Sequence, residues 1–290
     1  MTDDSFTHRT IPALGKRAFR LGLACNYGLD APGFEQALER GMNYVFWTSM
    51  RTSHLRAPLQ SALRRRREDM IVACGPTLGY FGGSVRRGAE SLLRELGTEY
   101  LDVLHLFWLG KTSAWTDGTS EALLRLKEEG KVRAIAISIH DRERAGRMVK
   151  DSPIDLFMIR YNAAHPGAER DIFPHLPTSA TASTTAAEGA RKPAIVAYTA
   201  TSWRKLLKRP GGWTGPVMTA GDCYRFCLSS PHVDVTLTGP KNLAQLEESL
   251  DALGRGPLSA EENGWMRAFG AHVHGGAQAK LHAASSAMQP

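Results

Sequence analysis

Cysteine is scarce in this chain. The 290 residues hold four, Cys25, Cys74, Cys223 and Cys227, too few to staple a chain of this length, so no disulfide framework is expected and a reducing compartment fits. Long apolar runs are missing too. No stretch of about 18 apolar residues occurs, and the opening Met-Thr-Asp-Asp-Ser-Phe-Thr-His has no apolar core behind basic residues. Neither a membrane span nor a signal peptide is expected, and the cytoplasm is the expected location. Metal-ligand spacing is also lacking. Cys223 and Cys227 lie one helical turn apart with no second pair beside them, so they read as small core residues, and His272-Val-His274 offers at most an adventitious pair.

What the chain has in excess is positive charge: 36 Lys and Arg against 29 Asp and Glu, a formal net charge of +7. Such a balance allows contact with phosphates, nucleic acid or an acidic surface. The densest run, Arg64 to Arg67, closes a helical pattern (Leu55, Leu59, Ala62, Leu63), where arginines complement the helix dipole. It reads as a solvated helix end, with an anion or nucleic-acid patch as the alternative; for the protein as a whole a nucleic-acid partner is not expected.

Apolar strands and helical patterns alternate along the chain. The strands are Arg20 to Ala24, Asn43 to Thr48, Met70 to Cys74, Leu101 to Trp108, Ala134 to Ser138, Ile154 to Tyr161, Ala194 to Tyr198 and Val233 to Thr238. Between them run helical segments such as Ser84 to Leu96, with Val85, Ala89, Leu92, Leu93 and Leu96 at helical spacing. Eight strands, most of them followed by helices, predict an α/β fold of the (β/α)8 TIM-barrel type. One domain over residues 1–275 is expected, with a disordered tail over 276–290. The small polar stretch from Thr178 to Ala187 reads as a flexible loop, or as a short Ala-rich helix.

Several segments then carry a resemblance. They are Leu14-Gly-Lys16 with Leu21-Gly-Leu23, Gly41-Met-Asn-Tyr-Val-Phe-Trp-Thr48, Glu90 to Asp102, Leu126 to Ser138, Tyr161-Asn162, Val196-Ala-Tyr198 and Gly239 to Glu248. In this order, over roughly residues 12 to 270, they resemble the aldo-keto reductase family. The resemblance implies an NADPH-dependent oxidoreductase. In such an enzyme a Tyr gives a proton to the carbonyl, a Lys positioned by an Asp lowers its pKa, and a His orients the substrate. The matching positions here are Phe46 for the Asp, Arg51 for the Tyr, Gly75 for the Lys and Phe107 for the His. All four are replaced, which argues against ordinary carbonyl reduction. The alternatives are a noncatalytic ligand-binding barrel, or an enzyme of another class on the same scaffold.

His105, two residues before the expected His, points inward one layer deeper in a regular strand. It reads as a satisfied interior histidine; a bulge lifting it toward the mouth and a metal role are the alternatives. For the cofactor, the resemblance implies that Ser138 and Tyr198 serve the nicotinamide and Gly239, Lys241, Gln245 and Glu248 the adenine end. The carboxamide partners are lost to Ile139 and Met158, and Ser249 replaces an Asn. NADPH is therefore expected to bind weakly or not at all. An ordinary capped helix is the plain alternative at Gly239 to Glu248.

A last cluster belongs to this sequence alone. Arg51, His140, Arg160 and Asn162 follow strands two, five and six, with Phe46, Trp47, Phe107 and Trp108 as apolar neighbours. They predict a pocket at the barrel mouth for a small anionic molecule. Neutralisation of the arginines by Glu169 and Asp141 is the alternative, as is ordinary packing of the tryptophans.

Overall fold

A computed structural model describes residues 4–48, 53–177 and 192–286. A short helix α1 (Asp4–Thr7) leads into an antiparallel hairpin, β1 (His8–Ile11) and β2 (Lys16–Phe19). Eight parallel strands then close on themselves: β3 (Leu21–Ala24), β4 (Tyr44–Phe46), β5 (Ile71–Cys74), β6 (Leu101–Leu106), β7 (Val132–Ile139), β8 (Leu156–Arg160), β9 (Ala194–Tyr198) and β10 (Val235–Thr238), with β10 pairing back onto β3. Helices α2 (Ala31–Glu39), α3 (Arg56–Arg66), α4 (Gly82–Leu96), α5 (Asp117–Glu128), α6 (Arg142–Asp151), α7 (Ala168–Asp171), α8 (Ala220–Leu228) and α9 (Leu243–Leu253) follow successive strands, and α10 (Ala260–Ser286) ends the described chain. The fold is a closed (β/α)8 barrel.

Each strand is buried almost throughout, as parallel strands covered on both faces must be. Inward positions stack as Ala24, Tyr44, Ile71, Ala73, Val103, Ala134, Ala136, Leu156, Met158, Val196 and Leu237. Small and large residues share the narrow interior. Gly22 is one accommodation: a Cβ there would lie 2.9 Å from Cδ1 of the Tyr44 ring. The hairpin closes the lower end, burying Ile11 and Ala18 against that interior. Beneath it the buried Arg20 donates to the carbonyls of Phe6, Leu228, Val233 and Asp234 at 2.6 to 3.2 Å.

At the mouth, helices start on capping side chains. Asp30 accepts from Gly33 N–H, Thr116 from Thr119 N–H, Asp141 from Arg144 N–H and Asn242 from Gln245 N–H. These caps fix where each loop leaves its strand. They also occupy the two carboxylates, Asp30 and Asp141, that the loops on this face contain.

Several expectations meet the structure here. The N-terminal hairpin is additional to the eight strands that the sequence pattern predicts. α10 runs as helix to Ser286, through much of the stretch read as a tail. The stretch Thr178 to Ala187 lies outside the described residues, as does Arg51. Arg64 to Arg66 do end a helix, but Arg67 does more: its guanidinium lies 3.6 Å from the Tyr100 ring centroid and 2.8 Å from the buried Asp102 carboxylate. No helix among the described residues is long and apolar enough to cross a membrane.

Candidate functional site

Strand parity assembles the mouth. On β8, Leu156 and Met158 face the interior, and Arg160, two further on, lies at the top of the same row. Its partner across the ladder is Tyr198 on β9, and on the other side Ile139 pairs with Ile159, which sets His140 beside Arg160. Tyr198 Oη lies 3.0 Å from His140 Nε2. Burial pushes the Tyr198 hydroxyl up to about 12, with Arg160 pulling the other way. Burial lowers the His140 pKa, and the charges of Arg160 and Lys111 lower it further. The rim is therefore a cation beside a neutral imidazole and a neutral phenol.

Arg160 has no ion-pair partner among the described residues. Glu169 does not neutralise it: that carboxylate accepts from Tyr161 Oη at 2.6 Å and from both terminal nitrogens of Arg267 at 2.8 and 3.0 Å. Asp141 caps α6. Arg142, close by, is bound to Asp171 at 2.7 Å.

Below the rim sits an aromatic floor. Phe46, His105 and Phe107 form a triangle with centroid separations of 5.6 to 5.7 Å, His105 stacked on Phe107 and edge-on to Phe46. His105 is interior and completely buried, as the strand pattern predicts, but it is not satisfied: neither ring nitrogen has a hydrogen-bond partner. Burial lowers its pKa to about 3, so the ring is neutral at pH 7. The bulge alternative fails, because β6 keeps one unbroken register with β7 from Leu101 to Leu106. Gly75 stands beside it for a steric reason. A Cβ at Gly75 would lie 2.1 Å from the His105 carbonyl oxygen, closer than any side chain tolerates.

Other predicted residues are placed differently. Trp47 is fully buried among the residues packed between barrel and helices, which suits the packing alternative. Asn162 is also buried; it donates to Thr199 O at 2.9 Å and accepts from Ala164 N–H at 3.0 Å, so it braces two loops instead of facing the mouth. Trp108 is half exposed, with left-handed φ of 44°, and its N–H donates to Ser138 Oγ at 2.8 Å. Cys223 and Cys227 are buried on α8, and no cluster of three metal-ligating side chains exists among the described residues.

The cofactor positions can be tested for fit. At the nicotinamide end, Ser138 Oγ already accepts from Trp108, Met158 is buried and apolar, and Ile139 packs outward against the helices. A carboxamide would find one hydroxyl donor and no amide partner. At the other end, Gln245 Oε1 accepts from Lys241 N–H and Asn242 caps Gln245 N–H, so two of the amides are already taken. The Tyr27 ring lies over Gly239, and Ser249 Oγ turns back onto Gln245 O. Lys241 and Glu248 remain exposed. The nicotinamide end does not fit the group.

Fold and site together define a (β/α)8 barrel with a cationic rim over an aromatic floor. Over residues 66–179 the chain matches the model of the Aldo/keto reductase family. Among solved structures it is similar to the apo form of aldo-keto reductase AKR11C1 from Bacillus halodurans, at 21% identity and a TM-score of 0.71 over 91% of this chain and 95% of that one. The glycerol dehydrogenase AKR11B4 from Gluconobacter oxydans is similar at 18% identity and 0.69, over 92% and 95%. At these identities the likeness is one of fold. No curated protein sequence matches the chain.

Proposed function

We propose that this chain is a barrel of the aldo-keto reductase fold that has given up proton donation to a carbonyl and binds a small anion at its mouth. The observation that carries the reading is Arg160, which ends β8 on the inward row without an ion-pair partner among the described residues. A guanidinium offers a planar fork of donors that suits a carboxylate or phosphate. His140 and Tyr198 flank it, neutral and hydrogen-bonded to each other, so the anion would meet the Arg160 charge and the one donor that this pair leaves free. The apolar floor of Phe46 and Phe107 lowers the local dielectric and strengthens that attraction.

The resemblance supports the negative half of the reading. Phe46, Gly75 and Phe107 cannot ionise, and an arginine such as Arg51 holds its proton too tightly to donate it readily near neutrality. NADPH, if it binds, is expected to do so weakly, with Lys241 supplying most of the charge. The test is a thermal-shift and calorimetric screen of acetate, phosphate and benzoate against wild type and Arg160→Ala. Stabilisation of wild type that is lost in Arg160→Ala is the expected result. Equal shifts in both proteins, or none in either, would overturn the reading.

A further inference from the structure

The mouth is more than a cation. Of the large hydrophobic side chains that stand exposed, Tyr27, Leu78, Tyr80, Phe81, Trp108 and Trp203 all lie on loops that leave the upper ends of strands. Leu78 is 56% exposed, Phe81 76% and Trp108 51%. Single exposed apolar residues need no explanation, but a gathering of them around one opening does.

Part of this gathering is tied through the backbone to the strands beside Arg160. The loop after β5 is zipped to the loop after β6: Gly79 N–H donates to Thr112 O at 3.0 Å, and Ala114 N–H donates to Gly79 O at 3.1 Å. The second loop is in turn pinned to β7, where Trp108 N–H meets Ser138 Oγ and Leu109 N–H meets Ser138 O, both at 2.8 Å. Its Lys111 is close enough to His140 to depress that imidazole electrostatically. Backbone links thus lead from β8, which ends in Arg160, through β7 to the neighbouring loops that hold Trp108, Leu78 and Tyr80. Non-glycine backbone with positive φ among the described residues is confined to this face, at Trp108, Thr199, Ser202, Trp203 and Arg204. Such backbone persists only where its surroundings hold it, as the two bonds to Ser138 do at Trp108.

We propose that the ligand of the mouth is an amphiphile, with one anionic group at Arg160 and an unbranched or aromatic apolar body lying along Trp108 and the zipped loops. This rests on the anion reading above and adds the apolar half. A purely polar anion would leave the apolar loops in water, and a neutral hydrocarbon would leave Arg160 without a counter-charge.

The probes are acetate, hexanoate, octanoate and decanoate, with decanol as the uncharged control, all below their aggregation limits and followed by tryptophan fluorescence and calorimetry. Affinity is expected to rise about fourfold per methylene buried until the apolar loops are covered. Trp108→Ala and, separately, Leu78→Ser should flatten that rise, with a loss of affinity that grows with chain length. Arg160→Ala should weaken every carboxylate and erase the preference for decanoate over decanol. Acetate binding as tightly as decanoate to wild type would overturn the amphiphile and leave the anion site standing; no carboxylate binding at any length would overturn both. A chain-length rise that survives both Trp108→Ala and Leu78→Ser would put the tail elsewhere and also refute the proposal. Flotation with phosphatidylglycerol vesicles separates a free amphiphile from a bilayer: wild type is expected to stay unbound, and flotation without binding of soluble carboxylates would count against it.

Discussion

His105 gives the structure a pH dependence that one substitution can isolate. The ring is completely buried, no hydrogen bond reaches either nitrogen, and its pKa is lowered from 6.5 to about 3 by burial. In the unfolded chain the same imidazole takes up a proton as the pH falls below 6.5; in the folded chain it does not. The folded state is thus at full strength above 6.5 and loses stability as the pH falls toward 3. At pH 5 the loss from this one residue is about 2 kcal/mol. His105→Leu removes the titration. It also removes two ring contacts, worth about 0.5–1.5 kcal/mol each, and relieves two buried polar atoms that cost about 1–3 kcal/mol each when unsatisfied, so the variant is expected to be the more stable protein at pH 8, by about 1–3 kcal/mol. The slope between pH values is the informative quantity. The ring's neighbours Phe46, Phe107 and Gly75 do not titrate, and more distant groups cancel in the difference between the two proteins. Urea unfolding of wild type and His105→Leu at pH 8, 6 and 5 should show the variant gaining about 2 kcal/mol on wild type between the extremes. A gap that stays constant would mean that His105 is protonated or hydrogen-bonded in the folded protein, and the reasoning would fail.

Three further outcomes are expected. Gly75→Ala should destabilise by about 3 kcal/mol in thermal or urea unfolding, because its Cβ would meet the His105 carbonyl at 2.1 Å; Gly75→Lys should behave no better and restore no reductase activity. Simple aldehydes with NADPH should turn over far below roughly 1 per second, as read by loss of cofactor absorbance. Titration of NADPH against protein fluorescence should show weak binding that Lys241→Ala weakens further, and tight binding indifferent to that change would remove Lys241 from the site.

The barrel was legible because parallel strands buried on both faces write themselves as short apolar runs, and each of the eight predicted runs holds a strand. Their ends were less legible. The run Leu101 to Trp108 is apolar to its last residue, but β6 stops at Leu106, where pairing with β7 ends and the chain turns into the loop holding Trp108. The hairpin β1–β2 has little signature in the sequence because only a few of its residues, among them Ile11, Ala18 and Phe19, are buried; His8-Arg-Thr and Lys16-Arg give no apolar signal. At the mouth, places after strands set His140 and Arg160 in one predicted cluster with Arg51 and Asn162, while the resemblance assigns Tyr198 to the nicotinamide instead. Neither could say which polar groups are already spent. Ser138 is held by Trp108, Asn162 by Thr199 and Glu169 by Arg267, and each of these bonds joins residues far apart in the chain.

Gly75 and His105 show most clearly what position-by-position reading leaves out. In the sequence, glycine at 75 is a missing lysine and histidine at 105 a polar residue in an apolar strand, two separate departures. In the structure they are one. The β6 backbone at His105 passes so close to Gly75 that no Cβ fits there, and the His105 ring stacks under Phe107 and against Phe46, the residues at two other replaced positions. Three of the four positions that the family resemblance marks as catalytic are thus joined through one buried histidine. Reverting any one of them alone would meet the packing of the others, which is why single reversions are expected to cost stability without returning carbonyl reduction.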